Sequence, residues 1–268
     1  MTTIYSFSQI WVYQQCPKKY QYQYIDKIEK EFKSSPDLIL WTSVHWWLER
    51  LYQEVNMRKI PTNQELLKIF HELWNKWIHN AWEKLQYKWD QPIHDYISRW
   101  EHYLTDYYDK YYPFSWVNVI WTELTIIFKI NNKPFKGIID RLDKNWDTYI
   151  INDYKTNKKL PNEYNNYREQ LTLYWLWIKQ NFWRYLKHIN AKIHYLHFWL
   201  LDEWEITNNT ISPIIEKYSK IIDEIDKAKV KYAESFNSDN QIFPAKNNSF
   251  CKFCEYKKLC PLLKNTDI

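Results

Sequence analysis

GIIDRLDKNWDTYIINDYKT, residues 137–156, reads as two runs of period 2 separated by a short polar turn, which is the pattern of a strand-turn-strand hairpin. Asp140 falls near the end of the first run and Asp153-Tyr154-Lys155 at the end of the second. Side chains alternate along a strand, so Asp153 and Lys155 project to one face, and the hairpin gathers two carboxylates and a lysine on one edge. Hard cations such as Mg²⁺ take oxygen ligands, and a bound cation polarises a phosphoryl group and acidifies water. A lysine beside it can orient or deprotonate the attacking water, or stabilise charge on the phosphate. Surface hairpins also carry Asp and Lys for no catalytic purpose, so the rest of the chain decides between the two readings.

Working outward, the periods order the chain. Upstream, Gln9–Gln15 reads as a short helix capped by Ser8, and Tyr20, Tyr22 and Tyr24 alternate with Gln as an extended segment. Trp41–Val55 is helical, with Thr42, His45 and Glu49 along one side; Thr62–Leu85 and Ile93–Tyr112 complete a helical cap. After Pro113 the period changes to 2, giving antiparallel strands over Thr122–Ile130, Phe135–Leu142 and Thr148–Asp153. Asn162–Gln180 is helical, Ala191–Leu201 a strand, and Ser212–Phe236 a charged amphipathic helix. This order predicts a mixed α/β core in a single domain: an N-terminal segment (1–40), a helical region (41–112), a core (113–210), and a C-terminal helix with a Cys-rich tail (211–268). His71, His79, His94 and His102 read as surface or core residues of the cap.

With 268 residues, 45% hydrophobic and 26% charged, the chain can bury a full core and is neither disordered nor fibrous. A net charge of +5 permits a nucleic-acid partner without requiring one. The absence of a roughly 20-residue apolar run or a signal-peptide pattern at MTTIYSFSQI predicts a cytoplasmic chain without a membrane partner. One count is abnormal: average usage of about 7% would give roughly 19 Gly, yet there is 1 Gly beside 17 Trp. Trp146 sits between Asn145 and Asp147 in a hairpin turn, where Asn-Gly is favoured because the backbone needs a positive φ, and Trp204 stands in a similar setting after Asp202-Glu203. The expectation is that UGA codons meaning Gly in the source are read here as Trp; the alternative is a chain merely rich in Trp. UGG codons at these positions in the coding DNA would sink the first reading.

Several separated blocks together resemble the PD-(D/E)XK nucleases, in particular the RecB-like branch that carries an iron-sulfur cluster. WTSVHWWLE from Trp41 resembles the first block, which holds a metal-binding His, here His45; Trp41 departs from the expected Gly. Glu123 resembles the acidic residue of the first core strand, Gly137–Asp140 the G-x-x-D block, Asp153-Tyr154-Lys155 the (D/E)-x-K block, and Gln170–Tyr174 the Q-x-x-x-Y helix. The resemblance implies a restriction-endonuclease-like fold and a metal-dependent DNA nuclease. In it, His45, Asp140, Asp153 and the Tyr154 carbonyl ligate Mg²⁺ or Mn²⁺, Lys155 is the catalytic lysine, and Gln170 and Tyr174 position DNA or that lysine.

Cys251, Cys254 and Cys260 form C-x2-C-x5-C, and Cys16 is the only other cysteine. Four cysteines in a reducing compartment suit one Cys₄ site, zinc or iron-sulfur by spacing alone. Cys16-Pro17 and FCKFCEYKKLCP resemble the iron-sulfur staple of this nuclease branch, which implies a [4Fe-4S] cluster joining the two chain ends. Lys18, Lys19, Lys252, Lys257 and Lys258 around the cysteines would form a basic face for DNA, and Tyr20, Tyr22 and Tyr24 would stack bases of a single strand. The expected activity is exonucleolytic, on single-stranded or unwound DNA ends, with CRISPR-adaptation or helicase partners. The rivals are a non-catalytic DNA-binding or scaffold subunit and a zinc-stapled interaction protein.

Overall fold

The two changes of period along the chain become a mixed α/β architecture. The computed structural model describes residues 3–29, 36–81, 93–157, 165–182, 184, 187–235 and 241–262. Among them are a six-stranded mixed sheet and seven α-helices, consistent with a restriction-endonuclease-like fold. In chain order these are β1 (Tyr5–Ser6), α1 (Phe7–Gln15), α2 (Pro17–Tyr20), α3 (Pro36–Asn56), α4 (Asn63–Ala81), α5 (Ile93–Tyr111), β2 (Val119–Ile130), β3 (Lys133–Asn145), β4 (Thr148–Lys155), α6 (Asn165–Phe182), β5 (His188–Tyr195), β6 (Leu200–Glu205) and α7 (Asn208–Glu234). They form two compact units, one of Met1–Phe32, Ile127–Gly137 and Ser212–Ile268, the other of Lys33–Ile126 and Ile138–Ile211.

The second unit holds the quoted hairpin. β3 and β4 pair antiparallel from Arg141↔Asn152 to Asn145↔Thr148, and β4 and β5 pair parallel from Thr148↔His188 to Lys155↔Tyr195. A parallel pair needs a crossover, and α6 supplies it between β4 and β5. β6 then returns antiparallel on β5. The core is aromatic and aliphatic: Val44, Trp47, Leu48 and Leu51 of α3 cluster with Leu66, Phe70 and Trp74 of α4 and Trp100, Leu104 and Tyr107 of α5. α4 starts on a reciprocal cap, in which Glu65 N–H donates to Thr62 Oγ1 at 3.3 Å and Thr62 N–H donates to Glu65 Oε2 at 2.8 Å.

In the first unit β1 pairs parallel with β3 at Tyr5↔Phe135, a two-residue strand with no periodic signal of its own. β2 and β3 form a hairpin over Asn131-Asn132, whose φ values of 47° and 62° suit a type I′ turn. Its core joins Phe7 to Tyr218, Phe128 to Phe135, and Tyr20 and Tyr232 to Phe243 by ring contacts.

Four local expectations change. Ser6, not Ser8, caps α1, since Ser6 Oγ accepts the Gln9 N–H. Residues 20–24 are not extended: α2 runs into a π-helical turn, Gln21–Ile25, because Tyr20 is buried among Tyr13, Tyr24 and Phe243 while the Gln21 amide donates to Asp26 and Tyr232. α3 begins at Pro36, a residue whose fixed φ suits a first helical turn. The strand expected over 191–201 ends at Tyr195, where a 3₁₀ turn, Leu196–Phe198, and the left-handed Trp199 reverse the chain into β6. Predicted helix ends at 82–85, 162–164 and 236 lie outside the described residues.

Two tryptophans occupy backbone that favours glycine. Trp146 in the β3–β4 turn and Trp199 before β6 both have a φ of 55°, and Trp146 is 95% exposed. Trp204 does not follow, since it lies within β6. Trp47 adds a different sign: it is fully buried, and its indole N–H has no hydrogen-bond partner among the described residues. A left-handed φ costs a residue with a Cβ roughly 1–2 kcal/mol, partly offset by glycine's greater freedom when unfolded. Trp146→Gly is therefore expected to stabilise the protein by about 1 kcal/mol, a rise in melting temperature of about 2–4 °C; a lowered melting temperature would contradict the glycine reading.

Candidate functional site

The β3–β4 register sets Asp140 beside the end of β4, where the Tyr154 N–H donates to Asp140 Oδ2 at 2.9 Å. α3 delivers His45, buried, with Nε2 3.2 Å from the Tyr154 carbonyl oxygen and Nδ1 3.7 Å from Asp140 Oδ2. Glu123 of β2 reaches the same ring, its Oε1 3.5 Å from His45 Nδ1. One donor atom from each of His45, Glu123 and Asp140 lies within 4.8 Å of the others, the only such three-ligand group among the described residues. Glu123 holds a left-handed φ of 46° inside a strand, and strain of this kind persists where the surroundings fix a side chain's aim.

Asp153 and Lys155 share the face that period 2 assigns them, with Lys155 Nζ 2.7 Å from Asp153 Oδ2. Asp153 Oδ2 is thus a buried carboxylate oxygen whose partner is the Lys155 ammonium. Asp153 is not in the three-ligand group, although its charge acts on both Asp140 and His45. The Lys155 ammonium also sits 4.3 Å from the centre of the Tyr167 ring, and Asn157 donates to the Tyr167 hydroxyl at 3.0 Å. On α6, Gln170 donates to the Tyr174 hydroxyl at 2.7 Å, and the buried Tyr174 phenol feels both Asp153 and Asp140.

The electrostatics describe a crowded anionic site. Burial, reinforced by Asp140, pushes the Asp153 carboxyl up to about 6, against the pull of Lys155. Burial also raises Asp140, with His45 and Lys155 opposing it. Burial disfavours charge on His45 and Lys155, but the carboxylates outweigh it and raise both. A buried carboxylate oxygen paired with an ammonium, two further carboxylates, an imidazole and a carbonyl oxygen form a donor set that fits Mg²⁺ or Mn²⁺.

A carboxyl raised on folding contributes stability below its unfolded value, roughly 3.9, and loses it as pH rises through its folded value. For Asp153 that window closes near pH 6, so at pH 8 the site carries a destabilising charge that a cation relieves. Mn²⁺ at about 100 times its dissociation constant is expected to raise the melting temperature by about 5–10 °C at pH 8 and by much less at pH 5, where protons hold the donors; equal shifts at both values would refute this.

Sequence reasoning overlooked Arg141, which is buried directly behind the site, and Tyr167. Neither has a motif, and the only signal for Arg141 was a charged residue between the apolar Ile139 and Leu142 of β3. Of the cap histidines, His71 pairs with Glu101 and His102 with Asp106. The lysine face is reduced: Lys18 is buried and donates to Gln21, and Lys19 pairs with Glu255, leaving Lys252, Lys257 and Lys258 exposed. Tyr20 is fully buried and so unavailable for base stacking; Tyr22, half-buried, packs on Tyr256 and donates to the Leu259 carbonyl, and Tyr24, half-buried, packs on Tyr20.

The C-terminal tail docks on the N-terminal segment within the first unit. Lys18 N–H donates to the Pro244 carbonyl at 3.2 Å and Asn248 Nδ2 to the Gln15 carbonyl at 2.9 Å. Backbone N–H groups point at two sulfurs, Lys246 at Cys16 Sγ (3.5 Å) and Asn248 at Cys251 Sγ (3.3 Å), an arrangement suited to thiolate acceptors. All four cysteines are free and half-buried, and burial raises Cys254. Four sulfurs suit a soft metal by their chemistry; among the described residues no three of them lie within 4.8 Å of one another, while Cys16 acts electrostatically on Cys254. No helix among the described residues is long and apolar enough to cross a membrane.

A model of the PD-(D/E)XK nuclease superfamily matches residues 4–261. No curated protein matches the sequence. Among solved structures, one described as "Putative exonuclease" from Eubacterium rectale is 10% identical, covering 99% of this chain and 88% of its own, with a TM-score of 0.47. A second, named SSO0001, is 12% identical, covering 94% of this chain and 95% of its own, with a TM-score of 0.30.

Proposed function

The chain belongs to the PD-(D/E)XK nuclease superfamily, and from that premise we propose that it is a metal-dependent exonuclease acting on single-stranded or unwound DNA ends. The observation that carries this reading is the buried Lys155–Asp153 ion pair beside the His45, Glu123 and Asp140 donors. His45, Asp140, Asp153, Glu123 and the Tyr154 carbonyl would hold Mg²⁺ or Mn²⁺, which supplies Lewis acidity toward the phosphoryl group. Lys155, kept charged by Asp153 and Asp140, stabilises negative charge on the phosphate and orients the attacking water; it can accept a proton only once those carboxylates are neutralised. Gln170 donates to the Tyr174 hydroxyl, whose phenol feels the charges of Asp153 and Asp140.

Cys16, Cys251, Cys254 and Cys260 would hold a [4Fe-4S] cluster, in preference to zinc, as a structural staple between the chain ends. A CRISPR-adaptation or helicase-linked repair role fits such a nuclease, with a partner drawn from the same machinery. The test is anaerobic purification followed by incubation of 5′- and 3′-labelled single- and double-stranded DNA with Mn²⁺ or Mg²⁺, using both the chain as written and its Trp146→Gly, Trp199→Gly form. Stepwise shortening of single strands from one end is the expected result. Intact DNA in every arm would sink the reading in favour of a binding subunit.

A further inference from the structure

Behind the metal-binding edge, on the opposite face of β3 and β4, lies a buried polar chain of side chains to which the family motifs assign no role. Period 2 turns Arg141 and Asp143 away from Asp140, and Asn152 and Tyr154 away from Asp153 and Lys155. Arg141 and Asn152 face each other across the hairpin, and Tyr154 faces His194 across β4–β5. Arg141 Nη1 donates to the Tyr154 hydroxyl at 2.5 Å, its Nε lies 3.0 Å from Asp143 Oδ1, and its guanidinium stacks 3.8 Å above the Tyr52 ring. The Tyr107 hydroxyl sits 3.2 Å from that of Tyr154 and 2.6 Å from that of Tyr52. Beyond Asp143, Asn152 Nδ2 donates to its Oδ2 at 2.9 Å, and His194 Nε2 lies 3.1 Å from Asn152 Oδ1. Burial holds His194 neutral, and its Nε2 faces the Asn152 amide oxygen, an acceptor.

Tyr154 is the link between the two faces. Its N–H and carbonyl lie in the site, on Asp140 and against His45, while its side chain ends in the network. A buried ion pair is seldom a net source of stability compared with apolar packing, so its presence here asks for a purpose other than stability. We propose that Arg141 is a positioning residue, which through the Tyr154 hydroxyl fixes the Tyr154 backbone and so sets the cation affinity of the His45, Asp140 and Tyr154 donors. Groups behind metal ligands commonly act in this way, and their loss costs roughly 10–100-fold in affinity. The inference rests on the proposed metal-dependent reading and deepens it.

The test measures Mn²⁺ binding directly, by calorimetry on the full chain, with no reliance on cleavage. Tyr154→Phe removes one hydroxyl and keeps the ring; Arg141→Lys keeps the charge and loses the fork. Each is expected to raise the Mn²⁺ dissociation constant about 10-fold or more, with native circular dichroism, and the double variant no further than the worse single one, because the two share one interaction. A purely structural role would lower the melting temperature and leave the dissociation constant of the folded protein unmoved. Dissociation constants within about twofold of wild type would overturn the proposal. If Arg141→Lys does not fold, Tyr154→Phe decides alone. A wild type that binds Mn²⁺ but cuts no DNA refutes the nuclease reading while the comparison of constants still judges this one; a wild type that binds no Mn²⁺ overturns both.

Discussion

Lys155→Ala is expected to slow DNA cleavage by roughly 10²–10³-fold or more while divalent-cation binding survives. Lys155 is the only ammonium paired with Asp153 in the described residues, at 2.7 Å, and both carboxylates act to keep it charged. Its removal takes away the group best placed to face a phosphate, but none of the His45, Glu123 and Asp140 donors. It also frees Asp153 from an opposing charge, so the Asp153 carboxyl climbs further from its ordinary value and the variant needs a higher pH to load its cation. The two consequences separate chemistry from binding. Single-turnover cleavage at saturating Mn²⁺ should stay depressed at every pH, while the cation-induced rise in melting temperature persists and shifts to higher pH. Wild-type cleavage rates in the folded variant would remove Lys155 from the mechanism.

Cys16→Ala should have the largest effect on stability. Cys16 and Lys246 touch across 230 residues of sequence, and Cys251 hangs from Asn248 in the same docked tail. A metal or cluster held by both ends closes nearly the whole chain into a loop, and tying a loop of that size is worth about 5 kcal/mol in chain entropy before any ligand-bond energy is counted. Anaerobically purified Cys16→Ala is expected to lose its visible absorbance and most of its bound iron, and to melt at least 10 °C below wild type. The hairpin site, in the other unit, takes no ligand from the cysteines, so residual cleavage by the surviving folded fraction should keep its Mn²⁺ dependence. A variant that stayed brown and fully stable would refute the staple, and a colourless wild type containing zinc would replace iron-sulfur by zinc.

The success and failure of sequence reading here divide by range. The β3–β4 hairpin was legible from 20 consecutive residues because strand period and turn chemistry are local. The helix expected from Thr62 was legible for the same reason, and the structure adds a capping box between Thr62 and Glu65 at its start. Ser8 misled because a cap needs the right backbone entry, which pairing of Tyr5 with Phe135 gives to Ser6. The tyrosine-glutamine alternation at 20–24 misled because period 2 in so short a stretch is weaker than burial of Tyr20 against Phe243. Glu123 was legible as a family-like acidic strand residue, but its approach to His45 depends on a left-handed backbone that the sequence does not announce.

By itself the sequence determined the mixed α/β order, the hairpin with its two aspartates and lysine, the spaced blocks of the nuclease family, and a glycine-like position at Trp146. These are properties of neighbouring residues or of residue types at fixed offsets. The tertiary structure alone decided that Glu123 joins His45 and Asp140 while Asp153 pairs with Lys155 outside that group, and that the tail meets the Cys16 segment. It alone placed Arg141 behind the site. Each of these is a distance between residues remote in sequence, fixed by strand register and helix packing, and period and composition do not encode such distances.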